Sequence, residues 1–156
     1  MKNQKGFSLI ELLVVVIIIA IIAAIAIPSL LASRRAANQS STVANLRTLV
    51  SAQATHASLN SGNYENLLAD LATDGFIDTS WGAATVKNGY TYVMTTSGTD
   101  PAIVGYCVRA TASAGAGDFS YATSHRGVIW QLGGTTAPAC DPAAGTSTDG
   151  IVLGSV

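Results

Sequence analysis

The chain has 156 residues, 49% of them hydrophobic and only 11% charged, with a net charge of −1. That length allows one domain with an appendage. The apolar content excludes a disordered solvating chain, and the near-neutral balance excludes general nucleic-acid affinity, which needs clustered Lys and Arg. The average hides an asymmetry. From Phe7 to Ser33, 22 of 27 residues are hydrophobic, whereas the remainder is rich in Ala, Ser, Thr and Gly. This pattern describes a membrane-inserted stem carrying a small soluble head.

Lys2 and Lys5 precede the stem while Arg34, Arg35 and Arg47 follow it, so the positive-inside rule does not decide its orientation. The 22 residues between Glu11 and Arg34 carry no charge. As a helix they span about 33 Å, enough for a hydrocarbon core of about 30 Å. Val14 to Ile19 are all β-branched, which matters little in lipid, where a helix pairs every backbone group within one segment. A core helix apolar on every face does not suit so small a head. In a cleaved secretory signal the apolar run would end near Ala23-Ala24-Ile25-Ala26; here it continues beyond. Two residues depart from a plain anchor. Glu11 puts a carboxylate in an apolar segment, at a cost of at least about 2.5 kcal/mol, and so needs a partner or a role. Pro28 removes a helix hydrogen bond, so the helix is expected to kink or loosen there.

The segment Lys5-Gly6-Phe7-Ser8-Leu9-Ile10-Glu11 resembles the processing site of type IV pilins and the related pseudopilins, and the likeness extends over residues 1 to about 35. The resemblance implies that residues 1–6 are a leader, cut after Gly6 by a membrane peptidase and methyltransferase. Phe7 is then the methylated new N-terminus, Glu11 the acidic residue at the fifth mature position, and Pro28 the helix breaker of many pilins. Residues 7–33 become the transmembrane and filament-core helix, and residues 34–156 the head. Elementary chemistry agrees. Cleavage exposes an ammonium at Phe7 four residues from Glu11, on the same helix face. A pair within one chain satisfies both charges locally; a pair between neighbouring chains fixes the axial offset of packed stems. The residues leave both open, and the resemblance implies the second.

In the head, Val43, Leu46, Val50, Ala54 and Ala57 follow helical spacing, with Leu49 flanking them. The stem helix is therefore expected to run on, amphipathic, to about Leu59. Asn60-Ser61-Gly62-Asn63 is a stop signal, and Tyr64 to Leu71 suggest a short helix. Four strands are expected at Tyr90–Thr95, Ile103–Ala110, Phe119–Thr123 and Val128–Leu132. Short connections favour an antiparallel meander packed on the head half of the long helix. The fold class is thus α+β, a long N-terminal helix on a four-stranded antiparallel sheet, as in pilins. Residues 133–156 read as loop.

Two cysteines, Cys107 and Cys140, in a head outside the cytoplasm suggest a disulfide tying the final loop to a central strand; two unrelated thiols are the alternative. Closing a loop of about 34 residues contributes on the order of 3 to 4 kcal/mol in the chain-entropy model. Pilins resembling this chain often carry such a staple, and pseudopilins often lack it. His56 and His125 sit in no metal-ligand spacing, and Ser124-His125-Arg126 lacks a placed acidic orienter, so neither a metal nor an enzymatic activity is expected. Asp141 and Asp149 lack the alternating acids of an EF-hand loop and read as solvated turns. Arg34 and Arg35 are candidates to touch lipid headgroups or a neighbouring subunit.

The resemblance implies a structural subunit of a type IV pilus filament serving adhesion, twitching motility or DNA uptake, with no cofactor. Its implied partners are identical subunits in a helical homopolymer, the prepilin peptidase, an inner-membrane assembly platform with an ATPase, an outer-membrane secretin, and lipid before assembly. No direct nucleic-acid contact is expected, since only Lys87, Arg109 and Arg126 lie beyond Arg47. The implied location is the bacterial inner membrane for the precursor and the cell surface for the filament. The alternative is a pseudopilin of a type II secretion system, forming a periplasmic piston.

Overall fold

The computed structural model describes residues 6–82, 85–100 and 102–153. Helix α1 spans Leu9–Leu59 and α2 spans Leu68–Thr73. The strands are β1 (Thr85–Lys87), β2 (Tyr90–Thr99), β3 (Ala102–Ala112), β4 (Phe119–Ser124), β5 (Ile129–Gly133), β6 (Cys140–Asp141), β7 (Thr146–Ser147) and β8 (Ile151–Val152). The chain divides into two units, Met1–Arg34 and Arg35–Val156.

In the second unit, α1 stops where the stop signal places it. Ser61 and Gly62 both take positive φ, 55° and 89°. The Gly62 N–H then turns back to the Ala57 carbonyl at 2.8 Å, a Schellman-type helix end. The short second helix begins at Leu68, later than its apolar residues suggest. The cause lies in the backbone before it. Tyr64 N–H is given to the Ile103 carbonyl, and Asn66 N–H to the Glu65 carboxylate. Both backbone groups of Glu65 are also taken by the Gln53 carboxamide, so residues 64–66 are tied to other elements before the helix begins.

The sheet has six strands rather than four, in the order β1-β2-β3-β4-β5-β8, and every neighbouring pair is antiparallel. The four expected strands form its centre. The two additions are edges too short to show any alternation in sequence. β1 joins β2 through Asn88-Gly89, whose φ values of 52° and 77° are those of a type I′ hairpin turn. β8 returns to pair Val152 with Trp130 and Ile151 with Gln131. The tail is therefore not loop throughout, because β6 and β7 also form a two-stranded ribbon.

The core forms where Tyr90, Tyr92, Tyr106 and Val108 of the sheet meet Leu46 and Leu49 of α1 and Leu68 and Leu71 of α2. Burial pushes the Tyr90, Tyr92, Tyr106 and Tyr121 phenols above their ordinary value near 10. The unfolded chain therefore ionises first. Stability present below about pH 10 is expected to fall as pH rises through the folded values. The check is the thermal midpoint against pH, with tyrosinate absorbance appearing at unfolding rather than ahead of it.

The buried face of α1 is rotated from the apolar stripe. Thr42, Leu46, Leu49, Gln53 and His56 are buried, while Ala54 is exposed and Val50 is half-buried. Gln53 is inside because its carboxamide pairs both backbone groups of Glu65. It donates to the Glu65 carbonyl at 3.1 Å and accepts from the Glu65 N–H at 2.9 Å. Gln53→Leu keeps the volume but strands both groups. Each unpaired buried group costs about 1–3 kcal/mol, so a loss of at least about 2 kcal/mol is expected in urea unfolding.

Candidate functional site

The first unit holds the processing motif and the stem. Ser8 is the last residue before α1 and Glu11 is the third helical residue, so Ser8-Leu9-Ile10-Glu11 has the spacing of a capping box. Glu11 Oε2 accepts the Ser8 N–H at 2.9 Å, and the Leu12 N–H reaches the Ser8 carbonyl at 3.3 Å. The carboxylate thereby satisfies an orphan donor and faces the positive end of the helix dipole. The structure thus gives Glu11 a partner beside the ammonium expected at Phe7. The Ser-x-x-Glu spacing was the available signal for it.

Gly6 and Phe7 precede the helix and are exposed, Phe7 by 88%. Among the described residues a Cβ on Gly6 would meet nothing within 4 Å, so none of them requires glycine there. From Leu9 to Leu31 the large apolar side chains are exposed around the whole helix. The helix is long and apolar enough to cross a membrane. Pro28 lies inside α1, and the helix continues through it; Ser33 Oγ donates to the Ser29 carbonyl at 3.0 Å in the following turn. Such a continuous exposed apolar surface marks a membrane or protein contact.

Residues 1–27 match the family described as the prokaryotic N-terminal methylation motif. A stretch of 53 residues is 43% identical to the type IV wide pilus major component PilA4 of Thermus thermophilus. The N-terminal part of the chain is thus similar to that of a type IV pilin. The matched stretch is 34% of this chain and 40% of PilA4, so the chain spans about two fifths of that relative. No solved structure matches it.

The other residues that the sequence singles out lie in the second unit. Cys107 of β3 and Cys140 of β6 are joined by a disulfide, with Cα atoms 6.1 Å apart. Arg35 Nη1 lies 3.2 Å from Asp118 Oδ1, with both side chains exposed, so it contacts its own head. Such a bridge contributes at most about 1 kcal/mol. Ser124 Oγ donates to the Gly145 carbonyl at 3.0 Å and accepts from Arg126 N–H, which gives it a structural task. Asp141 accepts the Ala143 and Ala144 N–H groups, and Asp149 accepts that of Ala139; both close turns. His125 is half-buried, and its buried Nδ1 has no hydrogen-bond partner among the described residues. His56 is buried beside Glu65 and Asp74, a grouping that no local spacing announces.

Proposed function

We propose that this chain is the structural subunit of a type IV pilus filament. Its precursor is held in the inner membrane by residues 7–33, cut after Gly6, methylated at Phe7 and polymerised through α1 into a helical homopolymer at the cell surface. Adhesion, twitching motility or DNA uptake is the service of the filament. One observation carries this reading: the methylation motif leads directly into a helix whose large apolar side chains are exposed on every face. Gly6 supports it, since a glycine that none of the described residues requires is free to be read by a peptidase.

Assembly exchanges helix-on-lipid for helix-on-helix contact. Lipid tails are as apolar as Leu, so hydrophobicity supplies little net drive. Register then comes from Glu11, and close approach from the small residues between Ala20 and Ala26. Extraction from the bilayer falls to an assembly platform with an ATPase, and passage outward to a secretin. Pro28 is the position where the stem loosens during repacking.

The test is the intact mass of the protein in filaments sheared from cells and in washed membranes. A species beginning at methylated Phe7 in the sheared fraction is expected, and Gly6→Leu is expected to keep the head folded while retaining residues 1–6. The mature species confined to membranes would instead mark a pseudopilin of a type II secretion system. A mass still including residues 1–6 in both fractions would remove the processing step.

A further inference from the structure

Three ligand-bearing side chains converge where α1 ends. His56 lies in the last turn of α1, Glu65 in the loop after it, and Asp74 at the C-terminal cap of α2. His56 Nε2 is 3.2 Å from Glu65 Oε2 and 4.0 Å from Asp74 Oδ2, and the three ligand atoms lie within 4.8 Å of one another. They line an open polar groove shared with Asn63, Tyr64 and Asp100. The imidazole is the decisive element. Its side chain is only 9% exposed, and its Nδ1 lies 3.2 Å from the Asn63 carbonyl oxygen. With Nδ1 turned to that carbonyl, Nε2 is the ring atom that faces both carboxylates.

The three side chains thus offer one nitrogen and two carboxylate oxygens to a common point. Among the described residues, no Lys or Arg forms an ion pair with either carboxylate. A divalent ion with one neutral imidazole and two carboxylates is charge-balanced. The negative end of α1's dipole also favours a cation there. The ligands are oriented as metal ligands usually are, by a second set of contacts. Asn63 fixes the His56 tautomer. Phe76 holds the ring edge-on at 5.4 Å. The Asn66 N–H binds Glu65 Oε1 at 2.7 Å and leaves Oε2 for the site, while Gln53 holds the Glu65 backbone.

We infer that His56, Glu65 and Asp74 form a binding site for a divalent transition-type cation, Zn2+ being the best fit, which clasps the end of α1 to the start of the head. Ligands about 2.0–2.2 Å from tetrahedral Zn2+ lie roughly 3.3 Å apart. The His56–Glu65 edge already has that length, and half-exposed Asp74, 4.0 Å from the imidazole and within 4.8 Å of the Glu65 oxygen, is the ligand that must approach. The fourth position opens to the groove. A nitrogen ligand favours Zn2+ over Ca2+, which takes oxygen donors. The site lies within the second unit and does not depend on how the stem is used.

The test uses the full chain in detergent micelles, stripped with chelator and titrated calorimetrically with Zn2+, then with Co2+ read by its visible spectrum. One saturable equivalent per chain is expected, with a tetrahedral Co2+ band. At a hundredfold excess over Kd the thermal midpoint should rise by roughly 10 °C. Asp74→Asn, at a half-exposed position, and Glu65→Gln should each weaken binding at least about tenfold while the circular dichroism of the head is kept. No stoichiometric binding, equal binding of Ca2+, or undiminished binding in Asp74→Asn and His56→Gln alike would overturn the site.

Discussion

Glu11→Gln is expected to abolish filament assembly while leaving the start of α1 folded. The two roles of this carboxylate separate at that substitution. As a capping group it accepts the Ser8 N–H at 2.9 Å, and glutamine at the same position accepts the same bond. As a charge it pairs, on the function proposed here, with the ammonium that cleavage after Gly6 would expose at Phe7, and glutamine cannot. Leaving a desolvated charge without its partner costs about 3–5 kcal/mol, so the yield of sheared filaments should fall at least roughly a hundredfold. The amount of processed subunit in membranes should not change. Glu11→Ala loses the cap as well, a further loss of about 1 kcal/mol at the helix start, and should be no better. Filaments from Glu11→Gln at the wild-type level would leave capping as the task of Glu11, and subunit register would then have to come from packing of the stem alone.

The stem was legible because its signal is local. A methylation motif and an apolar run occupy contiguous residues, and exposure on every face needs no tertiary knowledge. The central strands were legible for the same reason, since each is long enough to alternate. What escaped depends on partners distant in sequence. β8 is two residues whose pairing exists only because β5 waits for it. β1 is three residues, and only its Asn88-Gly89 turn gave notice. The buried stripe of α1 was misplaced by its polar members. Gln53 and His56 are inside because Glu65 and Asn63, 12 and 7 residues onward, return backbone groups to meet them. The cluster of His56, Glu65 and Asp74 draws on the end of α1, a loop and the end of α2, so no one segment displays a ligand spacing. The capping box is different: Ser8 and Glu11 stand in plain Ser-x-x-Glu spacing, and the carboxylate accepts the Ser8 N–H within a single turn.

Replacing the disulfide, with Cys107→Ala and Cys140→Ser together, should lower the stability of the head by about 3 to 4 kcal/mol and its thermal midpoint by roughly 10–15 °C. The bridge closes a loop across a sequence separation of 33, and that loop contains β4 and β5. Most of the loss acts through the unfolded chain, which regains the freedom to open it. A second part is local and has an order. β6 meets β7 in two residue pairs, and the turn between them is held by Ser124 Oγ donating to the Gly145 carbonyl at 3.0 Å. Once freed from β3, the ribbon no longer holds the chain that follows, and β8 has only two pairs on β5. Hydrogen exchange should therefore show the Leu153 N–H, bonded to the Ile129 carbonyl at 2.8 Å, opening before any amide of β2 or β3. If the double variant melts with the wild type, the ribbon is held by its hydrogen bonds and the bridge adds nothing. If it melts early while Leu153 stays protected, the loss lies wholly in the unfolded chain.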